Sequence, residues 1–361
     1  MLTAETIARA PKVLLHDHLD GGLRPQTVLE LADEGGYRDL PAGDAESLGR
    51  WFRQAADSGS LVQYLETFAH TVGVMQRPEA IHRVARECAL DLAADGVVYA
   101  EVRFAPELST ASGLAIEDVV EAMVDGFAHG SREATQAGTP IQVGALLCAM
   151  RQNDRWDEVA GLVVRYREAG VVGFDLAGPE IGFPPDRISS AIGMLVGAGA
   201  HRTIHAGEAD GIDSIRAALD GARAERLGHG VRIADEVAAD GTLGPVARRV
   251  LDAQVPLELA PSSNVQTGAY PSLAAHPVDR LHRLGFAVTV NTDNRLMGGI
   301  TASSELAAVA GQFGWTWNDV QTVTERALAA SFADEAQRAR LLADVVRPGF
   351  AALRQGAGRP E

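Results

Sequence analysis

Short apolar runs recur along the chain, and between almost every pair lies a longer stretch whose apolar positions return every three or four residues. The short runs fall at residues 13–18, 97–104, 141–149, 171–176, 202–206, 224–228, 255–260 and 286–291. The amphipathic stretches fall at 78–94, 116–134, 154–169, 185–198, 212–221, 243–253 and 278–284. The first pattern predicts buried strands and the second predicts helices with one face on a core. Their alternation predicts right-handed βαβ units around a parallel sheet. Eight such strands fit a closed (β/α)8 barrel, a fold of about 250 residues. The chain has 361 residues, and its surplus is visible as several helices over 25–94, between strands one and two, and as a helical tail after Thr301. No repeat or composition break divides it, so one domain over 1–361 is expected. A doubly wound open sheet would need a Gly-rich phosphate turn after an early strand. The first strand is instead followed by LDGGLRP, and GxGxxG is absent.

Composition then narrows the function classes. Apolar residues make up 46% and charged residues 22%, which is ordinary for a globular protein. Acidic residues outnumber basic ones 48 to 32, a net charge of −16. Such a surface repels phosphate backbones and anionic lipid, so neither nucleic acid nor a membrane is expected as a partner. Lys12 is the single lysine. A P-loop lysine, a late Schiff-base lysine and a metal-bridging carbamylated lysine are thereby excluded. Cys88 and Cys148 form no CxxC pair and read as buried free thiols. The start MLTAETIARAPK lacks the pattern of a signal peptide, and no run approaches a membrane span. A cytoplasmic protein acting on a small molecule is expected. Nothing in the sequence sets an oligomeric state.

In a barrel, chemistry belongs at the carboxyl ends of the strands, and polar residues gather there. Strand one ends in HDHLDG. Residues two apart share a face of a strand, so His16 and His18 point one way and Asp17 the other. Strand five ends in HAGE, which brings His205 to the same axis and Glu208 after the Gly207 bend. Strand six delivers His229 between glycines, and strand eight ends in NTDN with Asp293 and Asn294. DLAGPE after strand four adds Gly178, whose amide is free to meet a ligand, and LAPSSN follows strand seven. Taken together, His16, His18, His205 and Asp293 make an N3O set suited to zinc with a position open for water. Glu208 and His229 remain for proton transfer. HExxH, Walker and GxSxG motifs are absent, as is the HxE…PCxxC pattern of cytidine-type deaminases. The residues support metal-assisted hydrolysis.

At this point the chain resembles the adenosine deaminases of the amidohydrolase superfamily. The resemblance rests on KVLLHDHLDGGLRP, SLVQYLETFAHTVGVMQ, DGVVYAEVRFAP, VVGFDLAG, HAGE, RLGHGVRI, LAPSSN and VNTDN, in collinear order from Pro11 to Ser303. It implies zinc-dependent hydrolytic deamination of adenosine and 2'-deoxyadenosine, by attack of zinc-bound hydroxide on purine C6, to inosine or deoxyinosine and ammonia. It implies one zinc per chain, held by His16, His18, His205 and Asp293, with no lysine in VVGFDLAG to bridge a second. Glu208 is implied to give a proton to purine N1, and His229 to orient and deprotonate the attacking water, which Asp293 also bonds. On the substrate side it implies His18, Asp20 at the ribose hydroxyls, the Gly178 amide at purine N3 and Asn294 at N7.

Two departures stand out. Better-known animal members carry Asp-Asp where this chain has Asp293-Asn294; an amide donates to N7 without needing a proton held on a carboxyl. Asp210 replaces a usually apolar residue and is expected to alter recognition on the sugar side. The alternatives are a sister deaminase of adenine or 6-aminodeoxyfutalosine, and a non-catalytic nucleoside-binding protein.

Overall fold

The computed structural model describes residues 2–356. Strands β1 (Lys12–His18), β2 (Val97–Phe104), β3 (Gln142–Met150) and β4 (Val171–Ala177) pair in that order. So do β5 (Thr203–Ala206), β6 (Arg226–His229), β7 (Leu257–Leu259) and β8 (Val288–Val290). All these pairings are parallel. Two single parallel bridges join the halves: Phe174 with Arg202 between β4 and β5, and Asp17 with Asp293 between β1 and the segment after β8. The ring is the expected eight-stranded barrel. The final two strands are shorter than the apolar runs predicted, because side chains take over from the ladder there. Asn291 accepts from the Leu15 N–H at 3.0 Å and donates to the Leu259 carbonyl at 3.1 Å.

The expected additions are also present. Helices Pro25–Gly35, Ala45–Ala56, Leu61–Glu66 and Phe68–Val74 stand between β1 and the crossover helix Pro78–Ala94. In the tail, Trp317–Ala330 packs on β8 and β1 and covers the seam where the barrel closes. One apolar cluster runs from Ile7 to Phe350. Among the described residues, no helix is long and apolar enough to cross a membrane.

The barrel interior is not oily. Glu101 and Arg103 share the inner face of β2, and each belongs to a chain of buried ion pairs. Arg226 on β6 bridges Glu101 at 2.5 Å and Glu258 at 2.6 Å. Arg103 bridges Glu258 at 2.7 Å and Asp175 at 2.8 Å. All five residues are at most 1% exposed. The amino-terminal end is plugged by the segment after Trp317–Ala330: the Arg226 guanidinium lies 3.7 Å from the Phe332 ring centre and donates to the Ala330 carbonyl at 2.9 Å. Lys12 sits at this end as well, donating to the Ile7 and Ala10 carbonyls at 2.8 Å. It is a structural residue, far from the strand ends that carry chemistry.

Removing one member of a buried pair leaves an uncompensated charge, which typically costs about 3–5 kcal/mol. Arg226→Met is therefore expected to lower the unfolding free energy by about that amount, because Glu101 and Glu258 both lose their cation. Urea denaturation of the two proteins measures it, and equal stabilities would show that the pairing contributes nothing net.

Candidate active site

The site begins where β1 meets the chain leaving β8. The His18 N–H donates to the Asp293 carbonyl at 2.8 Å, and the Asp293 N–H donates to the His16 carbonyl at 2.9 Å. Asp293 has φ +56°, an unusual backbone state for a residue with a side chain. It turns the carboxylate inward, with Oδ1 at 3.3 Å from His16 Nε2 and 3.2 Å from His18 Nε2. His205 arrives from across the barrel, its ring centre 4.6 Å from that of His16. Gly228 on β6 makes this possible, since a Cβ there would lie 3.0 Å from His205 Cα and 3.1 Å from its Nδ1. The ligating atoms of His16, His18, His205 and Asp293 all lie within 4.8 Å of one another.

A ring of carboxylates behind them decides which nitrogen faces inward. His16 Nδ1 lies 3.0 Å from Glu258 Oε2, and His205 Nδ1 lies 2.9 Å from Asp175 Oδ2. An ionised carboxylate only accepts, so both Nδ1 atoms carry hydrogen and both Nε2 lone pairs face the cage. Burial would raise the pKa of Asp175 and Glu258, but the neighbouring His205 and Arg103 for the first, and Arg103 and Arg226 for the second, hold both well below the carboxylate range. Burial, reinforced by the Arg103 charge, brings His16 down to about 4, and burial also lowers His18 well below its ordinary value. Asp293 would likewise rise on burial, yet the His16 and His18 imidazoles hold it ionised. His16 and His18 are thus held neutral, with the Asp293 carboxylate beside them. His16 Nε2 is buried without a hydrogen-bond partner, a vacancy in its bonding that a metal ion fits.

Two groups flank the cage. Glu208 stands on a loop whose amides, from Gly207 to Asp210, all donate to the buried Glu180 carboxylate. Its Oε1 accepts from the Thr267 hydroxyl at 3.0 Å, and its Oε2 lies 3.5 Å from His229 Nε2. Burial raises the Glu208 pKa against the opposing pull of His229. His229 has φ +60°, a second non-glycine residue in left-handed backbone at this site. The Ser263 hydroxyl donates to Asp293 Oδ2 at 2.6 Å.

His18, His205, Glu208, His229 and Asp293 open onto one cavity of about 350 Å³. Its polar end holds His18, His205, Glu208, His229, Asp293 and Asn294. Leu61, Tyr64, Leu65, Phe68 and Val72, from the helices inserted after β1, form an apolar wall. Asp20 and Gly178 line it as well. Asp20 Oδ1 is buried and unpartnered, and burial pushes its carboxyl up to about 7. Asn294 packs its Oδ1 over Gly21, where a Cβ would come within 1.9 Å. Thus the predicted site residues converge. Asp210 lies outside the cavity lining, and its Oδ1 accepts from the Gly211 N–H at 2.7 Å ahead of helix Ile212–Asp220. The motifs do not single out Arg103, Asp175, Glu258, Glu180 or Thr267. For the first three, a signal exists in the charged residue set inside an apolar strand, as in EVRF, GFDLA and LEL.

Such a cage leaves room for water beside a carboxyl able to give a proton, which places the chain among the metal-dependent hydrolases built on parallel barrels. Comparison with known proteins narrows this. The adenosine deaminase family matches residues 11–348, and the chain belongs to that family. An adenosine deaminase of Mycobacteroides abscessus is 55% identical over 360 residues, covering 98% of this chain and 99% of the relative. The crystal structure of an adenine deaminase from Arthrobacter aurescens superposes with a TM-score of 0.82 at 26% identity, over 96% of this chain and 99% of that one. A zinc-bound amidohydrolase from Burkholderia ambifaria has the same fold, with a TM-score of 0.83 at 23% identity, over 98% and 94% of the two chains.

Partners that orient a ligating histidine typically contribute 10–100-fold in metal affinity. Asp175→Asn is expected to weaken metal binding by roughly that factor, since an amide can present N–H to His205 Nδ1 and turn the wrong nitrogen inward. Competition with a chelator of known affinity measures it; unchanged affinity would remove Asp175 from the ligand-orienting role.

Proposed function

We propose that this protein hydrolyses adenosine and 2'-deoxyadenosine at C6, releasing ammonia and the inosine product, with one zinc ion per chain. The observation that carries this reading is the protonatable Glu208 beside the N3O cage, at the polar end of an otherwise apolar cavity. Zinc held by His16, His18, His205 and Asp293 supplies a Lewis acid and a water activated near neutral pH. The rest is done by the chain. Glu208, whose pKa burial raises, donates to purine N1 in its acid form and draws electron density away from C6. His229, beside Glu208 at the edge of the cage, orients the attacking water. The Ser263 bond on Asp293 Oδ2 fixes that carboxylate so that Oδ1 faces the imidazoles. His18 borders the substrate, the Gly178 amide meets N3 and the Asn294 amide meets N7. Asp20, a buried carboxyl without a partner, meets a sugar hydroxyl, which favours a nucleoside over the free base. The continuous core supports reading 1–361 as one domain. Two buried, unpaired cysteines support a reducing, cytoplasmic setting.

A substrate panel followed by ultraviolet absorbance tests the reading. Adenosine and deoxyadenosine are expected to turn over fastest; adenine turning over faster than adenosine would replace it with a base deaminase. Glu208→Gln is expected to keep the fold and the metal while kcat falls at least about 10²–10⁴-fold, because an amide has no proton to transfer. Since the acid form of Glu208 is the active one, kcat should fall as pH rises through its raised pKa, and the variant should lose that limb. For Asn294→Asp, activity on adenosine should drop and its optimum move acid, because the new carboxyl must hold a proton to donate to N7. With 7-deazaadenosine, which lacks the N7 acceptor, the two enzymes should behave alike; an equal shift with both substrates would take N7 recognition away from Asn294.

A further inference from the structure

Behind His229 runs a chain of buried hydrogen bonds that the reaction as described above does not use. His229 Nδ1 lies 3.0 Å from Asn264 Nδ2, Asn264 Oδ1 lies 3.1 Å from His276 Nε2, and His276 Nδ1 lies 3.2 Å from the Val278 backbone nitrogen. His229, Asn264 and His276 are all at most 3% exposed, and the contacts between them are direct.

An imidazole has two tautomers and an amide two orientations, so the middle of such a chain is ambiguous on its own. Its far end is not. A backbone N–H is always a donor, so His276 Nδ1 must offer a lone pair to Val278. The neutral ring then carries its hydrogen on Nε2; burial, with the nearby His229, brings the pKa of His276 to about 3, so the neutral form is the resident one. That hydrogen needs an oxygen, which fixes Asn264 with Oδ1 toward His276 and Nδ2 toward His229. An amide nitrogen only donates. His229 Nδ1 is therefore the acceptor, and the hydrogen of the neutral ring sits on Nε2, the edge that faces Glu208 at 3.5 Å.

We propose that Asn264 and His276 are positioning residues that fix His229 as a hydrogen-bond donor toward the attacking oxygen, and that His229 does not remove a proton from it. A nitrogen already bearing hydrogen has no lone pair in the ring plane with which to act as a base. This changes one role implied by the resemblance, that of His229 as the deprotonating group. The acceptors left for the water proton are the carboxylates that share the cavity, the Asp293 carboxylate and, once it has passed its own proton to N1, that of Glu208. The inference rests on the deaminase reading for its kinetic part only; the hydrogen-bond direction stands without it.

The test uses the zinc-loaded, full-length protein with 15N-labelled histidine. Two-bond 1H–15N correlation spectra separate the tautomers of its ten histidines, and the His229→Gln and His276→Gln variants assign the two signals. Both rings are expected with hydrogen on Nε2. Asn264→Asp is nearly isosteric, but it presents an acceptor to both rings and calls for hydrogen on His229 Nδ1. In that variant the His229 signal should change tautomer and kcat should fall about 10²–10³-fold with little change in KM, the scale of losing one donor aimed at developing charge. Hydrogen on His229 Nδ1 in the parent protein would overturn the proposal even if the variant fails to fold. So would an Asn264→Asp enzyme as fast as the parent or faster, because a carboxylate behind the ring makes it a better base. Absence of turnover on every purine tested would count against the deaminase reading and leave the spectra to decide the hydrogen-bond direction.

Discussion

The bidentate grip of Arg103 on Asp175 and Glu258 is the interaction on which the metal cage depends. Each of those carboxylates has one task toward the site, which is to take the Nδ1 hydrogen of a ligating histidine. They perform it only while ionised. Deep burial works against ionisation; His205 and Arg103 reverse the balance at Asp175, and Arg103 and Arg226 reverse it at Glu258. Were either carboxyl to hold a proton, it could donate to Nδ1, and the ring would turn a hydrogen rather than a lone pair toward the ion. The arginine touches no ligand, yet it sets which nitrogen faces inward.

The same network closes a charge balance. Glu101, Glu258, Asp175 and Asp293 contribute four negative charges, and Arg103 and Arg226 contribute two positive ones. The remainder of two negative charges is what a divalent ion neutralises. An interior of this kind is costly in isolation, since desolvation of each ion must be offset by its partners. The barrel supplies those partners at fixed strand positions, and its β6–β7 and β2–β3 neighbours hold them in register.

The barrel and the ligands were legible in the sequence because both follow simple periodicities. Strand and helix alternate, and ligands fall at strand ends, His16 and His18 two apart on one face. What the sequence hides is the contact made across the barrel. Glu258 lies 242 positions from the His16 it orients and 155 from the Arg103 that keeps it ionised. Nothing local to LEL announces either partner. Asp210, beside HAGE, satisfies the next backbone amide, the ordinary behaviour of an Asp at a turn.

The surplus helices bear on the chemistry more directly than their distance from the ligands implies. An open barrel end would leave Glu208 in water with an ordinary carboxylate pKa. Leu61, Leu65, Phe68 and Val72 wall the cavity in front of it, and burial is the leading cause of its raised pKa. The same wall leaves Asp20 buried and unpartnered. The insertion after β1 therefore does two jobs at once: it walls the cavity with apolar side chains, and it contributes to the burial that raises the Glu208 pKa. The two stay coupled, because loosening the wall to admit a bulkier ligand would also admit the water that lowers that pKa.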